Sequence, residues 1–249
     1  MSRLLRSAVS LGLDLAFPPT CPACGRGVAD RLGDASGFCA DCLADLPLLP
    51  EPACRRCATP LATSISPPGD DCPACRDERW AFDESIALGA YDGLLRRLVL
   101  DGKRAVGEPA MQALGRRLAG VHRGRLSLPG ATVVVPTPQH WRRRLVRRAD
   151  GVAALAGALA AELRLPVVSA LRRTRATRRQ TAVASSDRRA NVRGAFAVRP
   201  RTSLKEKMVL LVDDVLTTGS TCHAASQTLK KAGVARVVVV VAAKRLGPA

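Results

Sequence analysis

A chain of 249 residues with 47% hydrophobic and 24% charged residues has the composition of a globular protein, which excludes wholesale disorder. No stretch approaches the about 18 to 20 apolar residues of a membrane span. The formal net charge is +18, and between Arg142 and Arg201 sixteen arginines meet only Asp150, Glu162 and Asp187. That concentration attracts phosphate-rich ligands, nucleic acid or small polyphosphates, unless it is simply a solvated arginine surface.

Residues 1–17, MSRLLRSAVSLGLDLAF, place two arginines before an apolar run. Asp14 interrupts the run, no small-residue cleavage site follows, and Pro18 and Pro19 lead into a cysteine motif. The expectation is an amphipathic helix, not a secretion signal, and a cytoplasmic protein.

Nine cysteines follow, eight of them in four C-x-x-C pairs: Cys21 and Cys24, Cys39 and Cys42, Cys54 and Cys57, Cys72 and Cys75. Fourteen residues separate the first pair from the second and the third from the fourth, and adding 33 to the first four positions gives the last four. That is an internal repeat. Two thiolates on one tight turn reach one ion, and two such turns complete a tetrahedral four-cysteine zinc site with no open position. The expectation is two structural Zn²⁺ sites in a double ribbon. Sequential pairing keeps each unit intact, with crosswise pairing as the alternative. Disulfides would suit an exported chain, and a redox role needs one pair beside a strand and a helix. Cys222 stands alone and reads as a packed helix residue.

Beyond Trp80 the pattern alternates strands and helices. Strands are expected at 85–91, 131–135, 167–171, 195–198, 208–212 and 234–241, and helices at 92–100, 108–121, 150–163 and 220–232. Continuous β-branched runs between helices imply an α/β fold with a mostly parallel sheet covered on both faces. The boundary is expected near residue 80: ribbons in 1–80, a sheet domain in 81–249.

In V209-L-L-V-D-D-V-L-T-T-G-S-T221 an aliphatic strand runs into two acids, then four hydroxyl residues and a glycine before a helix. Ligands of open parallel sheets bind beyond the carboxyl ends of the strands. Backbone N–H groups and hydroxyls at a helix N-terminus enclose phosphate, and Gly219 permits close approach. Acids beside a phosphate site suit sugar hydroxyls or a metal, so the expected ligand is a ribose 5-phosphate.

This stretch resembles the phosphoribosyl-pyrophosphate (PRPP) signature of type I phosphoribosyltransferases. The whole chain resembles the competence protein F (ComF) family, a zinc ribbon joined to a phosphoribosyltransferase domain. The resemblance extends to Tyr91, Gly93, Arg96 or Arg97 and Lys103. It continues through Val134, Val135, Pro136, Thr137 and Pro138 with the basic run W141-R-R-R-L-V-R-R148, and through Gln180, Arg188, Asn191, Ala195 and Phe196. R148-A-D-G151 departs from the glycine and aromatic that many members carry there.

The resemblance implies that Asp213 and Asp214 contact the ribose hydroxyls of PRPP, directly or through Mg²⁺. Thr217, Thr218, Gly219, Ser220 and Thr221 would hold the 5-phosphate, with Thr137 and Arg142 near the pyrophosphate. Catalytic candidates are Asp213, Asp214 and Arg175, the last on an arginine-rich loop with Arg172, Arg173, Arg178 and Arg179 that resembles the family's mobile segment. Three functions follow: a phosphoribosyltransferase with an unspecified acceptor, a binding protein for single-stranded DNA acting with DNA-uptake proteins, or a regulator that senses PRPP.

Overall fold

The computed structural model describes residues 19–28, 35–61, 72–76, 78–127, 130, 132–138, 150–174 and 194–247. The N-terminal helix expected at 1–17 lies outside them. Two short helices, Ala40–Ala44 (α1) and Pro73–Arg76 (α2), each carry cysteines. Then come Glu84–Ala90 (β1), Gly93–Asp101 (α3), a 3₁₀ turn at Ala105–Gly107, Glu108–Val121 (α4), Arg123–Leu126 (α5), Thr132–Pro136 (β2) and Gly151–Leu163 (α6). Leu171–Arg173 (β3), Phe196–Val198 (β4), Met208–Leu216 (β5), Ser220–Lys231 (α7) and Arg236–Lys244 (β6) complete the order.

The main sheet has the order β1-β6-β5-β2, and every pairing is parallel. Side chains alternate across it. Val134, Leu210, Val212, Val238 and Val240 enter one core with α3, α4 and α6. Val133, Val135, Val209, Leu211, Val237 and Val239 enter the other, under α7 and the β3–β4 pair. Both faces are covered, so these strands read as unbroken apolar runs. Gly115 lets α4 approach α6 closely, since a Cβ there would stand 2.4 Å from the Leu155 carbonyl oxygen. Among the described residues no helix is long and apolar enough to cross a membrane.

Two strand expectations shift. The strand expected at 167–171 divides: Val167 makes only a parallel bridge to Val134 at the sheet edge, and the true strand is Leu171–Arg173. This strand leaves the main sheet and pairs antiparallel with Phe196–Val198. The strand expected to stop at Val212 runs on to Leu216, because β6 continues beside it, with Val215 opposite Ala243 and Leu216 opposite Lys244. The two acids therefore sit on a strand, with the loop beginning at Thr217.

The first cysteine unit is part of the main core. Cys21, Phe38, Cys42 and Leu46 are buried together with Leu95, Leu114 and Leu118. Arg116 donates to the Ser36 carbonyl at 2.9 Å and Arg97 to the Ala23 carbonyl at 3.0 Å. Cys54, Cys72 and Cys75 form a separate small cluster with Cys57 and Leu61 packed against it. It is tied to β1 by the Ser85 N–H on the Arg55 carbonyl at 2.8 Å and the Ser85 hydroxyl on the Arg56 carbonyl at 2.8 Å.

Candidate functional site

Parallel strands end on the same side, so β2, β5 and β6 deliver their last residues to one edge. The alternation that builds the two cores continues through the acids. Asp213 follows Val209 and Leu211 onto the α7 face, while Asp214 turns to the α3 face. On the first side the Thr137 hydroxyl donates to Asp213 Oδ1 at 2.8 Å, and the Thr137 N–H donates to the Val212 carbonyl at 2.8 Å. Cys222, buried as expected, lies with its thiol 4.0 Å from Asp213 Oδ2. On the second side Lys103 Nζ lies 3.8 Å from Asp214 Oδ2.

Burial raises the Asp213 carboxyl to about 7, and the Asp214 carboxylate beside it adds to the rise. The Thr137 hydroxyl, the Asp214 N–H and the Arg173 guanidinium work in the opposite direction. Burial also lifts the Cys222 thiol well above its ordinary range, with Asp213 and Asp214 adding to it. This edge therefore holds two unlike carboxyls, one paired with a cation and one held near neutrality by its surroundings.

The 217–221 segment turns from β5 into α7. Gly219 takes φ +72, a left-handed conformation that a side chain resists, and precedes the first helical residue. The Thr218 and Ser220 hydroxyls lie 3.0 Å apart. Lys244, the last residue of β6, donates to the Thr217 carbonyl at 3.2 Å. The first N–H groups of α7, these hydroxyls and the Lys244 cation gather around this turn, a set of donors and positive charge of the kind that suits an anion.

Thr137, Asp213, Asp214 and residues 217–221 thus come to one edge, as expected from the sequence. Arg142, Arg175, Arg178, Arg179, Trp141, Gln180, Arg188 and Asn191 lie outside the described residues. Arg173 stands over the Phe196 ring, 5.3 Å from its centroid, and Arg172 is on the same strand. In the departing R148-A-D-G151 stretch, Asp150 caps α6 by accepting the Ala153 N–H at 3.1 Å, and Arg148 and Ala149 lie outside the described residues. Sequence reasoning did not place Lys244, Trp80 or His223 at this edge, and it assigned Lys103 no role. A strand-end lysine beside a parallel neighbour was the available signal for Lys244.

The eight paired cysteines gather into two clusters, Cys21, Cys24, Cys39, Cys42 and Cys54, Cys57, Cys72, Cys75, with all sulfurs of each within 4.8 Å of one another. Pairing is sequential. A tetrahedral site with Zn–S of about 2.3 Å needs sulfurs about 3.8 Å apart. Cys24 and Cys39 are 3.7 Å apart, and Cys57 and Cys72 are 3.6 Å apart. The donor sets fit structural zinc, with the Cys72 N–H also donating to Cys54 Sγ at 3.2 Å.

Comparison with known proteins agrees on both halves. Residues 12–76 match the family profile described as double zinc ribbon domain, and residues 149–248 the phosphoribosyl transferase domain. The chain is 27% identical over 213 residues to competence protein F of Haemophilus influenzae, spanning 82% of this chain and 89% of that protein. It is 31% identical over 194 residues to the DNA utilization protein YhgH of Escherichia coli O157:H7, spanning 75% and 81%. Among solved structures, a hypoxanthine phosphoribosyltransferase from Staphylococcus aureus aligns at TM-score 0.34 and 16% identity over 54% of this chain and 62% of that one. TT1426 from Thermus thermophilus aligns at 0.32 and 22% over 53% and 72%. With a zinc-ribbon half, a phosphoribosyltransferase half and relatives matched along most of their length, this chain belongs to the ComF family.

Proposed function

We propose that this protein binds Mg²⁺-PRPP at the sheet edge and transfers its phosphoribosyl group to an acceptor. The observation that carries the reading is the convergence of Thr137, Asp213 and Asp214 with the 217–221 cradle. Asp213 and Asp214 take the ribose hydroxyls, and residues 217–221 enclose the 5-phosphate. Thr137 faces the pyrophosphate, and the family resemblance adds Arg142 to it. Two carboxylates and a hydroxyl are hard oxygen donors of the kind Mg²⁺ accepts, and the ion supplies charge neutralisation to the departing pyrophosphate.

Displacement at the anomeric carbon builds positive charge on the sugar while negative charge gathers on the leaving group. Asp213 and Asp214 oppose the first, and Lys103, the β3 arginines Arg172 and Arg173 and, by the family resemblance, Arg175 oppose the second.

Calorimetry with Mg²⁺-PRPP tests the reading. Zinc-loaded wild type binds, and an Asp213→Asn, Asp214→Asn variant does not. No binding by folded wild type overturns it. Pyrophosphate release on adding acceptors then separates a transferase from a PRPP-sensing regulator, which binds without release.

The arginine excess and the relatives named for competence and DNA utilization favour a second reading, direct binding of single-stranded DNA beside DNA-uptake proteins. Such binding weakens with salt at a log-log slope of roughly −0.7 per phosphate neutralised. A flat salt response removes this reading.

A further inference from the structure

Lysine is rarely buried without a partner charge, yet Lys244 is only 8% exposed. Its place in the sheet explains the burial. It ends β6, with Ala90 of β1 opposite on one side and Leu216 of β5 on the other. The Tyr91 N–H donates to the Lys244 carbonyl at 2.8 Å and the Arg245 N–H to the Leu216 carbonyl at 3.0 Å, so the backbone here is tied to both neighbouring strands. The side chain is thereby held at the strand ends where the 217–221 turn begins.

What the ammonium meets there is a carbonyl. Nζ donates to the Thr217 oxygen at 3.2 Å. Among the described residues Lys244 forms no ion pair, whereas Lys103 faces Asp214 at 3.8 Å and Lys230 faces Asp83 at 2.8 Å. A carbonyl dipole offsets the burial of a charge only in part. The remaining charge, held where there is little water, strongly attracts an anion that comes beside it. The turn supplies donors for that anion: the first N–H groups of the 12-residue α7 and the Thr218 and Ser220 hydroxyls, 3.0 Å apart. The helix start and the buried strand-end cation are independent features, and both call for negative charge at the same turn.

We propose that Lys244 is a positioning residue and the resident counter-charge of the 217–221 turn: it ties down the Thr217 carbonyl, an acceptor that would repel an anion, and its own charge is balanced when a phosphate occupies the turn. That this phosphate is the 5-phosphate of PRPP rests on the reading above. Two consequences have opposite signs. Without ligand the unbalanced ammonium weakens the fold, and with ligand the same charge strengthens binding. A lysine with a purely structural role would instead support the fold whether or not the turn is filled.

The full-length, zinc-loaded wild type is compared with Lys244→Met and Lys244→Gln by thermal melting, alone and with inorganic phosphate, and by calorimetry with Mg²⁺-PRPP. Met keeps an apolar stem without the charge, and Gln keeps a donor for Thr217 without the charge. Without ligand, both variants are expected to melt no lower than wild type. Inorganic phosphate is expected to raise the melting temperature of wild type, as a ligand of the folded state does, and to leave both variants unmoved. Mg²⁺-PRPP affinity is expected to fall about tenfold or more in both. Variants that melt below wild type without ligand overturn the proposal, as does a Gln variant that binds PRPP like wild type, since a hydrogen bond would then suffice. If phosphate stabilises wild type through Lys244 while PRPP does not bind, the PRPP reading falls and the counter-charge stands. Wild type that responds to neither overturns the counter-charge.

Discussion

Thr137 and Asp213 meet across the β2–β5 pairing, the hydroxyl of one donating to the carboxylate of the other at 2.8 Å. One hydrogen bond does not offset burial and the neighbouring Asp214 charge, so the Asp213 carboxyl remains raised to about 7. The folded state thus binds this proton more tightly than the unfolded chain. Its contribution to stability is fully present below about pH 4 and is lost as pH rises to about 7. Asp213→Asn removes that loss. The melting-temperature advantage of the variant over wild type is expected to widen from pH 5 to 7 and then level off. A gap constant with pH contradicts the raised carboxyl.

Lys103 and Asp214 form a partly exposed pair at 3.8 Å, with 34% and 28% of their side chains accessible. Pairs of that kind contribute about 0.2 to 1 kcal/mol, so Lys103→Met is expected to change stability by no more than about 1 kcal/mol. Its effect on a polyphosphate ligand is larger, since hydrogen bonds to charged groups contribute about 1.5 to 3 kcal/mol. Mg²⁺-PRPP affinity is expected to fall about tenfold or more, with Lys103→Arg recovering part of it. Equal affinity in calorimetry removes Lys103 from the site.

The two cysteine clusters are alike in sequence and unlike in their surroundings. Cys21 and Cys42 are buried beside Phe38 and Leu46 in the core that contains Leu114 and Leu118, while the second cluster packs largely against itself. A Cys21→Ser, Cys24→Ser variant and a Cys54→Ser, Cys57→Ser variant are each expected to lose one of two zinc ions by metal analysis. Releasing Phe38 from the core costs about 3 to 5 kcal/mol, so the first variant is expected to melt about 10 °C lower. The second is expected to shift by less than half as much. Equal shifts would mean that both ribbons support the sheet alike.

The repeat of 33 and the aliphatic runs made the ribbons and the sheet legible, because ligand spacing and strand alternation are local properties. The acids and the 217–221 cradle were legible for the same reason: one strand, one turn and one helix start carry them. What escaped depends on partners distant in the chain. β5 outruns Val212 because β6 stays beside it to Lys244. Leu171–Arg173 leaves the sheet for a partner more than twenty residues away. Lys244 and Trp80 reach the loop only through the parallel register and the ribbon's placement, which no local pattern encodes.

Gly219 joins two separate constraints, and a double-mutant cycle separates them. Its φ of +72 is a left-handed conformation that costs a side chain about 1 to 2 kcal/mol. An added methyl would also stand 2.9 Å from the Trp80 ring. Gly219→Ala in wild type therefore meets both penalties, while in a Trp80→Ala background it meets only the backbone one. The destabilisation measured by denaturant unfolding is expected to be smaller in that background by about 1 kcal/mol, within the range for residues in contact. Simple additivity would show that the ring and the glycine do not touch in solution. A surplus in the expected sense places the indole on the loop backbone.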